Sequence, residues 1–220
     1  MPGILENNDR LQFRQAATSL VNQCEVLSYG KRLIDMLVEL FLWRWDWERI
    51  HPKVATEVPV DPATSISVDE NGIPLYKTTI CYCGILQAGQ LLFYNAALLR
   101  VLELANDWNV QDAPLRALVK LSNRDRPLCS NPLVLPHETL SPMEAVSEIC
   151  RSTDYCLQDP HAAVGAMSLM LPLDALLRSP QVSREKSWLS RTTKTVAVLC
   201  GTGTFERVDC IDHLAKHIKR

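Results

Sequence analysis

The stretch YGKRLIDMLVELFLWRWDW, residues 29–47, carries the reading of the fold. Its apolar residues Ile34, Leu37, Val38, Phe41 and Trp45 recur at i, i+3, i+4, i+7 and i+11, the spacing that lines one face of an α-helix. Working outward, Val146, Ile149, Cys150, Thr153 and Leu157 repeat the pattern, and residues 11–27 carry a weaker version of it. Residues 78–108, rich in Leu, Ala and Gln, form the longest helical candidate, with Gly84 and Gly89 placed to kink its first half. Start signals agree with these spans. Ser141-Pro142-Met143-Glu144 has the form of a capping box with proline at the first helical position. Asp159-Pro160 repeats the device ahead of residues 161–171, where Pro172 is expected to kink or end the helix. Asp112 can cap residues 114–121, and Ser183 can cap residues 184–199. Two stretches break the period. Residues 51–75 contain Pro52, Pro59, Pro62 and Pro74, an Asn71-Gly72 turn, and the alternation Ile66, Val68 of a short strand. Residues 123–140, with Pro127, Pro132 and Pro136, read as a long surface loop. The expectation is therefore an all-α single domain over residues 1–220, with about eight packed helices and two long Pro-containing loops.

Composition removes several function classes. The 220 residues are 47% hydrophobic and 22% charged with a net charge of −2, which is a globular balance and excludes disorder as the main state. The slight acidity argues against a nucleic-acid surface, where Lys and Arg cluster. The most apolar run, residues 85–105, is interrupted by Gln87, Gln90, Asn95, Arg100 and Glu103, so no membrane span is expected. The first ten residues lack a basic segment followed by an apolar one, so no signal peptide is expected. Eight cysteines scattered from Cys24 to Cys210 lack the spacing of a disulfide scaffold, which points to an intracellular, cytoplasmic protein with reduced thiols.

Familiar catalytic signatures fail on their spacing. Gly201-Thr-Gly203 resembles the start of a dinucleotide loop, but Glu206 stands where the third glycine belongs, and no second βα unit follows. A helix end at Gly201 and Gly203, followed by a terminal helix from about residue 204, accounts for both glycines. Cys210, His213 and His217 share a face of that helix at i, i+3 and i+7, a zinc-compatible spacing without further ligands. No metal and no cofactor are expected. Cys81-x-Cys83 is not C-x-x-C, and Ser183-Arg-Glu-Lys186 has the S-x-x-K form without its companion motifs. Trp43, Trp45 and Trp47 step about 200° around a helix at each move, so the three indoles cannot share one narrow face.

Several ordered motifs carry a resemblance: DPAT (residues 61–64), TTI (78–80), LLFYNAALLR (91–100), EICRSTDYCL (148–157), Gly165-Ala166, Leu171-Pro172-Leu173, and Glu185 followed by Trp188-Leu189. Over residues 55–200 the chain resembles the C-terminal half of the all-helical regulatory region of fungal zinc-cluster transcription factors. The six-cysteine DNA-reading cluster of that family has no counterpart here, because Cys24 stands alone in the first eighty residues. The resemblance implies a helical region that senses small molecules or contacts coregulators, without direct nucleic-acid binding.

Two functional expectations follow. The first is a stand-alone pocket protein of fungal secondary metabolism, a cofactor-independent cyclase or isomerase of the pericyclase or Diels–Alderase type, acting on a small apolar metabolite. Orientation, apolar walls and one or two hydrogen-bond donors suffice for such a reaction. His161 and Tyr94 are its candidate catalytic donors; Trp188, Tyr155, Arg151 and Trp45 are its candidate substrate-binding residues, around a cavity between the helix through Tyr94 and those after residue 148. Arg151 and Asp154, at i and i+3, can also simply pair on the surface. The second expectation is a transcription-factor-like regulator acting through ligand sensing or protein contacts, nuclear rather than cytoplasmic. Either form leaves a homodimer open.

Overall fold

The structure is a computed structural model that describes residues 3–62, 64–138, 141–183 and 185–201, with side chains from Leu27 onward. Its helices are α1 (Gly3–Ile50), α2 (Ile85–Asp107), α3 (Ala113–Lys120), α4 (Pro142–Cys156), α5 (Ala162–Arg178) and α6 (Lys186–Leu199). Between α1 and α2 run two strands, β1 (Ala55–Pro59) and β2 (Thr78–Tyr82), paired antiparallel from Ala55 opposite Tyr82 to Pro59 opposite Thr78.

This corrects the all-α expectation of eight helices: the described residues hold six helices and a small sheet. Residues 11–27 and 29–47 fuse into the single α1. The helix expected from residue 204, with Cys210, His213 and His217, lies outside the described residues. The span 78–108 divides at Gly84, because Thr78, Thr79 and Ile80 are β-branched and favour a pleated strand over a helical turn. Period-2 alternation then turns Ile80 and Tyr82 to the core, where the Tyr82 hydroxyl shares a 2.8 Å hydrogen bond with Ser152 of α4.

Caps divide similarly. Ser141 Oγ accepts a hydrogen bond from the Met143 amide at 3.2 Å, with Pro142 in the first position of α4. Ser183 does not cap α6, which begins at Lys186 behind Glu185; the Glu185 carboxylate instead accepts from the Tyr76 hydroxyl at 3.1 Å. Asp112 precedes α3 without a side-chain cap bond and turns toward Arg116 at 3.8 Å. Pro172 does not end α5, which runs six residues further to Arg178. In the loop after β1, Gly72 takes φ +76° and donates to the Asp69 carbonyl at 3.2 Å, closing the Asn71-Gly72 turn. Beyond α6, Gly201 adopts φ +71° and donates to the Val198 carbonyl at 3.1 Å, the left-handed geometry that closes helices.

The core has two parts that share α2. Val101, Leu102 and Ala105 pack with Leu33, Ile34, Leu37, Phe41 and Trp45 of α1 and Ala113 and Ala117 of α3. Leu91, Leu92 and Leu99 pack instead with β2, α4, α5 and α6. Burial on both sides explains why α2 is apolar around its circumference. By length and composition α2 could cross a membrane, yet 56% of its most apolar window is buried within the fold.

Three buried carboxylates fasten the two Pro-containing loops. Glu48 Oε1 accepts from Ser130 N and Ser130 Oγ at 2.8 Å, Asn131 N at 3.1 Å and Asn131 Nδ2 at 3.0 Å, while Oε2 meets Arg44 Nη1 at 2.8 Å. Glu148 accepts from Asn95 Nδ2 at 2.9 Å and Val134 N at 2.7 Å. Asp154 accepts from Ser65 Oγ and Ser67 Oγ at 2.6 Å and from Ser67 N at 3.1 Å. The expected Arg151–Asp154 surface pair is therefore absent: Asp154 is buried, and Arg151 pairs with Glu57 at 2.6 Å.

Candidate functional site

The three tryptophans near the end of α1 show how helix geometry distributes the expected site residues. Trp43 and Trp47 point toward α2: Trp43 stacks on Tyr94 at 5.4 Å, and Trp47 Nε1 donates to Gln90 Oε1 at 2.9 Å. Trp45 belongs to the other part of the core, with Val101, Leu102 and Ala105 of α2, is only 1% exposed and lies edge-on to His137 at 5.9 Å. Its indole N–H has no hydrogen-bond partner, and neither has that of the fully buried Trp188 on α6. Both indoles fill core volume.

Tyr94 is buried on α2, and burial pushes its hydroxyl above the ordinary tyrosine range, so it remains a protonated donor. It lines a small pocket with Phe41, Asn95, Val134, Glu144 and Glu148, whose space of about 20 Å³ holds roughly one water molecule. Tyr155 and His161 sit elsewhere, where α4 turns into α5, with ring centroids 5.7 Å apart; the Tyr155 ring also meets Tyr82 at 5.5 Å. Burial, with the neighbouring thiols of Cys156, Cys81 and Cys83, raises the Tyr155 pKa. Arg151 lies at the hairpin, where Nε also donates to the Thr78 carbonyl at 3.4 Å. The structure thus joins Tyr155 with His161, buries Tyr94, Tyr155 and Trp188 in one part of the core, and sets Trp45 in the other part and Arg151 at the hairpin.

A larger cleft of about 320 Å³ opens between the last turns of α2, the start of α3 and the segments flanking α4 and α5. Arg100, Glu103, Asp107 and Arg178 supply its charge; Leu102, Ala105, Pro114, Pro142 and Pro180 supply apolar wall. Its volume falls within the range of ligand sites. Two ion pairs are built into its sides: Arg100 Nη1 to Glu103 Oε2 at 2.7 Å, and Arg178 Nε to Asp174 Oδ2 at 3.0 Å. The Arg100–Glu103 pair is incomplete, because Arg100 Nε and Glu103 Oε1 are buried without hydrogen-bond partners. Leaving such a group unmatched costs about 1–3 kcal/mol. None of Arg151, Tyr155, His161 and Trp188 lines this cleft or the small pocket.

The sequence reading missed the cleft, although a signal was present. The 23 residues of α2 include three charged side chains, Arg100, Glu103 and Asp107, all in its last two turns. The charged residues of α5 are Asp174 and Arg178, also near its end. Charges gathered at one end of otherwise apolar helices mark where ion pairs, here Arg100–Glu103 and Asp174–Arg178, border the core.

Covalent chemistry finds little support in the thiols. Burial pushes Cys81, Cys129 and Cys150 upward and Cys156 up to about 12, so these four stay protonated at neutral pH rather than acting as thiolates. Among the described residues no group of three His, Cys, Asp or Glu side chains is placed to hold a metal ion. Comparison with protein-family models, curated proteins and solved structures gives no match.

Proposed function

We propose that this chain is a helical ligand-sensing module of the regulator type, which binds a small molecule in the cleft at the end of α2 and acts by binding rather than turnover. The observation that carries this reading is the cleft itself: all three charged residues of α2 line it beside a wall of Leu, Ala and Pro. Asn106, Gln111 and Gln181 add amide groups to the charged lining, so hydrogen bonds would orient a ligand there and Leu102, Ala105 and the prolines would supply its apolar contact. The resemblance of residues 55–200 to a regulatory region of fungal transcription factors is in keeping with it. The test is a fragment screen by thermal shift, run in parallel on the wild type and Glu103→Ala. Fragments that raise the wild-type Tm but not that of the variant support the reading. Fragments that stabilise both proteins equally, or none that stabilise either, overturn it.

A second reading, the cofactor-free cyclase or isomerase of small apolar metabolites, is favoured by one feature, the ring contact of buried Tyr155 with half-buried His161. There the phenol and the imidazole could both donate to a substrate carbonyl. Its test is turnover of polyene or terpenoid candidates by the wild type, His161→Ala and Tyr155→Phe. Rates at the uncatalysed background for the wild type end it.

A further inference from the structure

We infer that the C-terminal segment of this chain, residues 204–218, docks as an amphipathic helix on an exposed apolar strip formed by α2 and α5 beside Trp43 of α1.

The strip follows from how α2 and α5 meet. A Cβ on Gly89 of α2 would stand 3.1 Å from Ser168 Oγ of α5, so the two helices touch at these residues. Both run the same way from there, since Asn106 and Asp107 at the end of α2 and Arg178 at the end of α5 reach the same cleft. Leu86 and Phe93 flank Gly89 at i−3 and i+4, and Val164 and Leu171 flank Ser168 at i−4 and i+3. In parallel right-handed helices these offsets open on one side of the contact. Leu86 is 74% exposed and Met167, one residue before Ser168 on that side, is 65% exposed; Phe93 and Val164 are exposed as well. Trp43, stacked on Tyr94 and also exposed, borders the strip from α1. Single exposed apolar residues are ordinary, but a group gathered on one face marks a surface that binds.

The route of the chain names the occupant. The short connection 179–185 joins α5 to α6, and helices so closely joined pack antiparallel. The last turn of α6 therefore returns beside the first turn of α5, with Val198 and Leu199 exposed and Gly201 in the left-handed conformation. Residues 202–220 leave from that point, next to Val164. Within them Val208, Ile211, Ala215 and Ile218 recur at i, i+3, i+7 and i+10, while Glu206, His213, His217 and Arg220 fall on the opposite face of a helix. A helix over 204–218 reaches about 22 Å, ample for the roughly 10 Å from Leu86 to Phe93. The strip is also uncharged: α2 has no charged residue before Arg100, and α5 none before Asp174. An aliphatic helix face gives up no charge hydration in covering it, whereas a charged partner would.

The experiment is hydrogen exchange by mass spectrometry on the full chain. The wild type is compared with Met167→Glu and Val164→Glu on the strip, Ile211→Glu on the apolar face of the segment, and His213→Glu on its polar face. A lone helix of this length is marginal in water, so slow exchange over residues 208–218 reports docking. Exchange there is expected to be at least tenfold slower in the wild type and His213→Glu than in the other three variants. Met167 and Val164 are exposed and lie outside the segment, so their effect on it comes neither from its own helix propensity nor from a damaged core. Unprotected exchange over 208–218 in the wild type overturns the proposal, as does protection that survives both strip substitutions. A photo-crosslinking p-benzoylphenylalanine in place of Met167 then identifies the occupant. Attachment to residues 204–218 within one chain is the expected result. A dimer-sized product, which would seat a second copy on the strip, or attachment to no residue of the segment overturns the assignment.

Discussion

Glu48 shows how one buried side chain can hold a loop and set a pH limit. Burial alone would raise its pKa, but hydrogen bonds from Arg44 and from the amide and hydroxyl of Ser130 outweigh that and hold it below the ordinary glutamate value. A carboxylate whose folded pKa is lowered adds stability that is fully present above its unfolded value near 4.5 and is lost as pH falls through the folded value. Acid should therefore loosen residues 130–131 from α1 below pH 4.5. Glu48→Gln removes the charge that pairs with Arg44, whose guanidinium is fully buried with Nε and Nη2 already unmatched. Losing one member of a buried pair costs about 3–5 kcal/mol. Urea denaturation of the wild type and the variant between pH 3 and 7 measures this. The gap is expected to be widest at pH 7 and to narrow in acid, and a gap constant across that range would show that the charge of Glu48 contributes nothing. Glu148 shifts the opposite way: burial raises it despite its donors Val134 N and Asn95 Nδ2, so it opposes the acid dependence of Glu48.

At the scale of elements, α4 and α5 depend on a single missing methyl group. A Cβ on Gly165 would stand 1.8 Å from the carbonyl oxygen of Cys156, the last residue of α4. Only glycine lets the two helices approach so closely, and backbone cannot swing aside as a long side chain can. Gly165→Ala should cost at least the upper part of the ~1–3 kcal/mol range for overpacking, and should speed amide exchange in α5 before α1. Hydrogen exchange by mass spectrometry checks it; unchanged exchange in α5 would mean the contact is not tight in solution. The same elements show what the chain reveals of itself. The periodicity of residues 29–47 and the Ser141-Pro142 start could be read directly, because local spacing and capping set them. The strand Thr78–Tyr82 could not be separated from the helix behind it, because its hydrogen-bonding partner lies some twenty residues away at Ala55–Pro59. Site residues were harder still. Trp45 and Trp188 were attractive as aromatic walls, but an isolated indole carries no sign of whether its surroundings are cavity or core. Arg100 and Glu103 read locally as an ordinary i, i+3 pair, and only the meeting of α2 with α3 and the ends of α4 and α5 makes them part of a cleft.

For the whole molecule, α2 decides whether the two parts of the core act as one. It contributes Leu91, Leu92 and Leu99 to one and Val101, Leu102 and Ala105 to the other, so neither can dissolve without baring a face of the same helix. A short rigid element common to both makes partial unfolding expensive, because the part left folded must expose apolar surface that its neighbour covered. The molecule should therefore unfold in one cooperative transition despite its two clusters. Leu99 is fully buried near the boundary between them, and partly buried Leu98 packs against both. Leu99→Ala should remove about 2–5 kcal/mol, the usual cost of a large-to-small change in a closed core. Native-state hydrogen exchange in mild denaturant reads the outcome in α3, which belongs to one side, and in α6, which belongs to the other. If α2 couples them, the slowest amides of both helices lose the same opening free energy in the variant. A loss confined to α6, with α3 unchanged, would mean that the two parts open independently and that α2 is a boundary rather than a shared core.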